Sequence, residues 1–311
     1  MRAVILAGGL GTRLAEETVV RPKPMVEIGG RPMLWHIMKL YAHHAVREFV
    51  VALGYKGDFI KRYFLDYYQA HTTGALSIDL ATGRTATDHH ESEDWRVHLV
   101  DTGHEANTGG RVRRLRRWLG ESTFMVTYGD GVCDVDIGQL LEFHRSHGRI
   151  ATVTAVRPPA RYGGLMFDGD LVSRFTEKPQ AGEGWINGGF LVLEPSIFNY
   201  LTDDASSLEL HLLERLASER QLAAYRHDGF WQCMDTVRDK NLLERLWQEN
   251  QAPWAVWDAA RSGLQEPSAP VTPTTPATVP VPSWNVPVRF DPPEPVRRPL
   301  FGKHKDAFFV D

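Results

Sequence analysis

The 311-residue sequence predicts an α/β protein with a doubly wound, mostly parallel sheet, followed by a small β-rich extension and a Pro-rich C-terminal tail. Three observations predict it. Residues 3–7, AVILA, form an unbroken apolar run ending in glycines, as in a strand buried on both faces. Strand-like and helix-like patterns then alternate as far as about Val156. Beyond about Ala260, eleven of the nineteen prolines crowd between Pro267 and Pro299.

The elements follow in order. After the first strand, residues 34–45 place Leu34, Ile37, Met38 and Tyr41 at helical spacing; 48–53 form the next strand and 59–68 the next helix. The alternation resumes with a strand at 97–100, a helix at 110–119, a strand at 124–127, a helix at 137–147 and a strand at 151–156. Sheets of this kind bind ligands at the carboxyl ends of their strands, which makes the loops there the candidates for function. Shorter strands at 164–167, 172–175 and 188–193, with a helix near 208–218, build the extension. A closing helix at 237–248 carries Leu242, Leu243, Leu246 and Trp247 on one side. The expected division is a catalytic domain over 1–258, with a core at 1–156 and the extension and closing elements at 157–258, then a disordered tail at 259–311. Proline donates no backbone hydrogen bond, so that tail is expected to be extended. It reads either as a linker or as a docking peptide for a protein partner, anchored by Trp284, Phe290, Phe301, Phe308 and Phe309.

Composition excludes several classes. A net charge of −4 provides no global field for nucleic acid or an acidic membrane, so an anionic ligand must be held by local chemistry. Cys133 and Cys233 lie too far apart for a C-x-x-C pair or a disulfide framework, and a reduced cytoplasmic compartment is expected. The N-terminal apolar run breaks at Gly8-Gly9, too short for a signal peptide, and no run reaches the ~18 apolar residues of a membrane span. His43-His44 and His89-His90 read as surface histidines rather than metal ligands, because adjacent side chains diverge.

Chemistry concentrates in a few segments. Gly8-Gly9-Leu10-Gly11-Thr12-Arg13-Leu14 follows the first strand directly, and its glycines allow backbone N–H groups to form an anion-binding concavity, or simply a tight turn. The rival reading, a dinucleotide-binding oxidoreductase, is opposed by Leu14, which stands where the third glycine of its fingerprint should be. Pro22 and Pro24 flank Lys23, which is expected to hold the lysine on a rigid, extended segment; it reads as a solvated turn residue or, with Arg13, as a phosphate clamp. Asp130 lies between two glycines at a strand end, a position suited to a magnesium ligand. Asp235 precedes a helix, where it reads equally as an N-cap.

The loop G-G-L-G-T-R-L followed by P-K-P-M resembles the signature of the sugar-phosphate nucleotidyltransferases. The resemblance runs from Met1 to about Trp257. It implies that Arg13 and Lys23 hold a nucleoside triphosphate and that Asp130 and Asp235 bind Mg2+, these four being the catalytic residues. The implied nucleotide site comprises Leu6, Ala7, Gly8, Gly9, Gly11, Thr12, Arg13, Lys23, Thr108, Gly110, Arg111 and Gly129. Glu177 and Lys178, in an E-K-P element, and Asn187 with Gly188 are implied to contact the sugar phosphate, which makes the β-rich extension sugar-binding. The strings Gly54-Tyr55-Lys56-Gly57, Thr108-Gly109-Gly110-Arg111 and Met234-Asp235-Thr236-Val237 resemble the branch that joins CTP to glucose 1-phosphate in polysaccharide or deoxysugar biosynthesis. Arg111 is then a candidate donor to cytosine O2 and N3. The alternatives are another sugar 1-phosphate, UTP or dTTP, or a non-catalytic binding protein. The family implies a homo-oligomer. The resemblance is loosest at Leu208-Glu209-Leu210-His211, where a tryptophan-glutamate start is expected, and this bears on sugar selectivity or subunit contacts.

Overall fold

Side chains of β1 (Arg2–Ala7) alternate between two cores: Ala3, Ile5 and Ala7 enter one, Val4 and Leu6 the other. Only a strand with helices on both faces needs apolar residues at every position, and each fully buried Ile or Leu contributes about 1.5–3 kcal/mol. The computed structural model describes residues 1–9, 11, 14–67, 76–82, 84–87, 93–158, 164–168, 171–176 and 184–262. The first residues of the expected disordered tail, Ala259–Ser262, instead form a short helix; residues 263–311, Thr12, Arg13, His89-His90, Glu177 and Lys178 lie outside the described residues.

The chain continues through α1 (Ala15–Thr18), a tight turn of 3₁₀ helix at Lys23–Met25, a short hairpin of β2 (Glu27–Ile28) and β3 (Arg31–Pro32), and α2 (Met33–His43). Next come β4 (Glu48–Leu53), α3 (Gly57–Leu65), a hairpin of β5 (Leu76–Asp79) and β6 (Arg84–Thr87), and β7 (Arg96–Asp101). Helices α4 (Thr108–Arg114) and α5 (Arg116–Leu119) lead to β8 (Phe124–Tyr128), β9 (Gly131–Cys133), α6 (Ile137–His147) and β10 (Ala151–Val156). A separate hairpin, β11 (Gly164–Asp168) and β12 (Leu171–Thr176), precedes β13 (Ile186–Leu193). A π-helical segment at Leu208–Leu213 runs into α7 (Glu214–Ser218), and β14 (Leu222–His227), β15 (Trp231–Cys233), α8 (Val237–Gln248) and α9 (Ala259–Ser262) complete the described chain.

The main sheet has the order β14-β10-β13-β8-β1-β4-β7. Its strands are parallel except β13, which pairs antiparallel with both β8 and β10. Strand order reverses between β1 and β8, and the crevice of a doubly wound sheet opens at such a switch point. Both β13 and β14 come from the stretch read as the extension, yet they join the main sheet. Strand β13 earns its central place with six successive buried residues, GGFLVL. The register Val156↔Ile186 and Ala155↔Asn187 joins β10 to β13 at the point where residues 157–185 leave the sheet and return.

Helix ends follow local chemistry. The Asp136 carboxylate caps α6 by accepting from Gln139 N at 2.9 Å, and Gly148 ends it at φ 64°. The expected helix 110–119 instead begins at Thr108, after Asn107, and breaks at Leu115 into α4 and α5. On one face, His36 of α2 is fully buried against Trp247 of α8 and against Trp254; its Nε2 meets the Ile28 carbonyl at 2.9 Å while Trp254 Nε1 donates to Nδ1 at 3.3 Å.

Candidate active site

Strands β1, β4, β7 and β8 run the same way, so their carboxyl ends share one edge of the sheet. The loops leaving them enclose a cavity of about 290 Å³. Leu6, Ala7, Gly8, Gly9 and Gly11 line it from the first loop, Lys23 from the 3₁₀ turn, Thr108 and Arg111 from α4, and Gly129 and Asp130 from the end of β8. Gly110 does not reach the cavity; it packs on the Asp204 backbone, where a Cβ would lie 2.4 Å from the carbonyl oxygen. A second, smaller cavity of about 50 Å³ is lined by Asn187 and Gly188 with Trp231 and Cys233. Tyr128 and Asp130 line both.

Close approach explains Gly129. Its N–H donates to Leu6 O at 3.0 Å, and a Cβ there would sit 2.8 Å from that oxygen and 2.8 Å from Pro24 Cγ. The backbone at the end of β8 therefore approaches both the end of β1 and the Pro24 ring too closely for any side chain.

Lys23 corrects one expectation and weighs against one of the two alternatives left open for it. The segment is a buried 3₁₀ turn rather than extended, because the φ of −67° at Pro22 also suits the entry to a helix. Its ammonium is not solvated either: Nζ donates to Asp130 Oδ2 at 2.7 Å and to Asp235 Oδ1 at 2.6 Å. Burial would push this lysine down, but the two carboxylates prevail and hold it above its ordinary value.

A two-stranded ladder brings the aspartates together. Strand β15 pairs antiparallel with β9, setting Cys233 opposite Gly131, and Met234 N donates to Asp130 O at 2.8 Å. Asp235 is not an N-cap. Thr236 caps α8 by accepting from Asp239 N, and the Asp239 carboxylate closes a capping box by accepting from Thr236 N at 2.9 Å.

Arg111 is buried, and both terminal nitrogens of its guanidinium are engaged. Nη1 donates to Gly103 O (2.7 Å), Thr102 Oγ1 (2.9 Å) and Leu53 O (3.2 Å), and Nη2 to Gly8 O and His104 O (3.1 Å each). These acceptors belong to the ends of β1, β4 and β7, so the side chain ties three loops into one wall. Its terminal N–H groups are spent on the protein, and this arrangement leaves none aimed at a base.

The residues present fit a magnesium ion. Magnesium takes one or two carboxylates and completes its shell with waters and phosphate oxygens. Here two carboxylates converge on a single point at which the Lys23 ammonium stands as the cation. His43 is exposed and His44 pairs with Asp136 at 3.4 Å; neither joins a group of three metal donors among the described residues. Such a group is Cys133, Asp134 and His227, in which His227 Nε2 pairs with Asp134 Oδ1 at 2.7 Å and burial pushes the Cys133 thiol up. No helix among the described residues is long and apolar enough to cross a membrane.

Residues 2–244 match the model of the nucleotidyl transferase family. The chain belongs to that family. Among related nucleotidyl transferases, glucose-1-phosphate cytidylyltransferase of Salmonella typhi is 49% identical over 259 residues, covering 83% of this chain and all of the relative. Probable glucose-1-phosphate cytidylyltransferase of Bacillus subtilis is 42% identical over 260 residues, again 83% of this chain and all of the relative. Mannose-1-phosphate guanyltransferase of Aspergillus fumigatus is 31% identical, over 78% of this chain and 62% of its own length. Among solved structures, HddC from Yersinia pseudotuberculosis superposes with a TM-score of 0.58 at 26% identity, over 79% of this chain and 99% of that one.

Residues outside the sequence reading also shape this nucleotidyl transferase's site. Pro24, Ala106, Asn107 and Tyr128 complete the larger cavity. Asp239 had a legible signal, the T-x-x-D spacing of a capping box. Glu209, which accepts from Tyr128, Thr108 and Ser207, stood in the segment compared with a tryptophan-glutamate start, but nothing in its spacing pointed to these partners.

Proposed function

We propose that the protein transfers the cytidylyl group of CTP to α-D-glucose 1-phosphate, forming CDP-glucose and releasing pyrophosphate. One observation carries the reading: Asp130, which lines both cavities, and Asp235 converge on Lys23, which lines the larger one. The 49% and 42% identities to relatives of that name, each matched over its full length, support the choice of substrates.

The glycine loop cradles the triphosphate with backbone N–H groups, and the sugar phosphate enters from the side of Asn187 and Gly188. Its phosphate has a second pKa of about 6 and is largely dianionic at neutral pH, so it attacks the α-phosphate without a general base. The sugar phosphate oxygen bonds to the α-phosphorus as the bond to the pyrophosphate oxygen breaks, and pyrophosphate carries away the electron pair. What the chain supplies is position and charge. Lys23, with Arg13 from the sequence motif, neutralises the triphosphate; Lys178, with Glu177, aims the attacking phosphate. Asp130 and Asp235 would hold Mg2+, which supplies further neutralisation of the phosphates when bound. Arg111 shapes the wall at the nucleotide end.

The same reading takes the catalytic domain as 1–258, with a tail at 259–311 that has no catalytic part and is free to meet a protein partner. It places the enzyme in the cytoplasm as a homo-oligomer. Pyrophosphate release is the test, measured with Mg2+ across four nucleoside triphosphates and several sugar 1-phosphates. CTP with glucose 1-phosphate should give the highest kcat/KM; a higher value for any other pair overturns the substrate assignment.

A further inference from the structure

Glu209 lies in the segment where the family resemblance is loosest and was assigned no role in the site, yet its half-buried carboxylate gathers three hydroxyls. Ser207 Oγ donates to Oε2 at 2.6 Å, Thr108 Oγ1 donates to the same oxygen at 2.8 Å, and the Tyr128 hydroxyl donates to Oε1. Burial would raise this carboxyl, but the hydroxyl donors outweigh it and hold Glu209 below the usual carboxylate range. An ionised carboxylate only accepts, which fixes the direction of every bond around it.

The directions propagate both ways. Thr108 Oγ1, its proton given to Glu209, accepts from Leu208 N at 2.9 Å. The Tyr128 oxygen, its proton likewise given, is reached by the side chain of Asn187, whose Oδ1 in turn accepts from Gly189 N at 2.8 Å. Gly189 sits at φ 81°, and the Tyr128 ring lies where its Cβ would be, 2.5 Å from Cδ2. The ring is therefore wedged at one end and bonded at the other. Thr108 lines the larger cavity, Asn187 the smaller, and Tyr128 both. Glu209 itself sits in the first turn of the π-helical segment, a rare geometry that recurs at functional sites.

We infer that Glu209 is a positioning residue that couples the two substrate sites: by holding Thr108 on one side and Tyr128 with Asn187 on the other, it makes binding in either cavity strengthen binding in the other. The inference rests on the reading that the larger cavity takes the nucleotide and the smaller the sugar phosphate. A substrate that orders Thr108 or Asn187 orders the shared wall, and the second substrate meets a wall already set.

Two variants test it. Glu209→Gln keeps the shape but offers one acceptor oxygen to three hydroxyls, so at least one of them turns away. Tyr128→Phe removes a single oxygen, keeps the wedge against Gly189 and cuts the link from Glu209 to Asn187. Initial rates over a grid of CTP and glucose 1-phosphate concentrations with Mg2+, together with thermal melts, supply the readouts. In the wild type, the KM for each substrate should fall about fivefold as the other rises to saturation. In E209Q that ratio should drop to within twofold of one, with both KM values up roughly tenfold and kcat changed less than threefold. Y128F should lose the same coupling while raising mainly the sugar-phosphate KM. Variants that keep the wild-type ratio, whatever their melting temperature, overturn the inference, as does a fall in kcat at unchanged KM. A wild type with no coupling overturns it too. If E209Q does not fold, Y128F alone decides. A wild type inert across the grid overturns the functional reading, and this inference with it.

Discussion

Asp239 accepts the backbone N–H of Asp235 at 3.1 Å, so the carboxylate that closes the capping box of α8 also fixes the main chain of a candidate metal ligand. Asp239→Ala should therefore act twice. Loss of the box should cost about 1 kcal/mol in urea unfolding. Loss of the hold on Asp235 should weaken divalent binding roughly tenfold, because a ligand freed from its hydrogen-bonded support no longer holds its direction. Mn2+ affinity measured by electron paramagnetic resonance checks the second effect, and unchanged affinity would refute it.

Removing Lys23 leaves two neighbouring carboxylates without their cation. Lys23→Met should destabilise the metal-free protein by ~3 kcal/mol, the low end for a broken buried pair because Asp130 is about a third exposed. Millimolar Mg2+ should recover part of this loss and raise the melting temperature of the variant more than that of the wild type. An equal response of the two proteins to Mg2+ would show that the aspartates do not share the ion.

At Gly129 a methyl group has nowhere to go. Gly129→Ala should push the Leu6 carbonyl and Pro24 apart at a cost of about 1–3 kcal/mol. Turnover should fall at least tenfold, because both loops line the larger cavity. Kinetics and calorimetry on the same preparation report the two effects, and wild-type kcat in a folded variant contradicts the prediction.

His36 should make stability fall in mild acid. Burial lowers this imidazole from 6.5 to about 4, so between those values the unfolded chain takes up a proton that the folded chain refuses. The contribution is intact above pH 6.5 and is lost as pH falls through 4, amounting to about 3 kcal/mol. Urea unfolding of the wild type and His36→Gln at pH 7.5, 5.5 and 4.5 checks the sign. The variant should show the shallower fall, and parallel curves would assign the acid sensitivity elsewhere.

Local pattern carried much of the fold. The all-apolar β1 and the helical spacing of Leu34, Ile37, Met38 and Tyr41 announce themselves because burial acts residue by residue. Strand order does not: nothing within Ile186–Leu193 says that it inserts antiparallel between β8 and β10. Strand β14 escaped notice because LAAYRH is an edge strand with no β-branched residue. At the site, glycines and aspartates were legible since tight backbone and carboxylates have few uses at strand ends. The partners of Lys23 lie 107 and 212 residues away, and those of Glu209 include Thr108 and Tyr128, 101 and 81 residues away. Contacts at such separations are created by the fold and leave no spacing rule to read. Arg111 shows the converse case, a legible residue whose charge the fold turns inward.

The pairing of Val156 with Ile186 has an evolutionary consequence. Because the chain departs and re-enters between strands that are already hydrogen-bonded neighbours, the pairing of the sheet sets no fixed length for the residues between them, and doubling a loop between fixed ends costs only about 0.6 kcal/mol. Residues 157–185 thus form a cassette that mutation can lengthen, trim or exchange without disturbing the frame that holds Asp130. One inherited scaffold can in this way serve relatives whose names specify different hexoses.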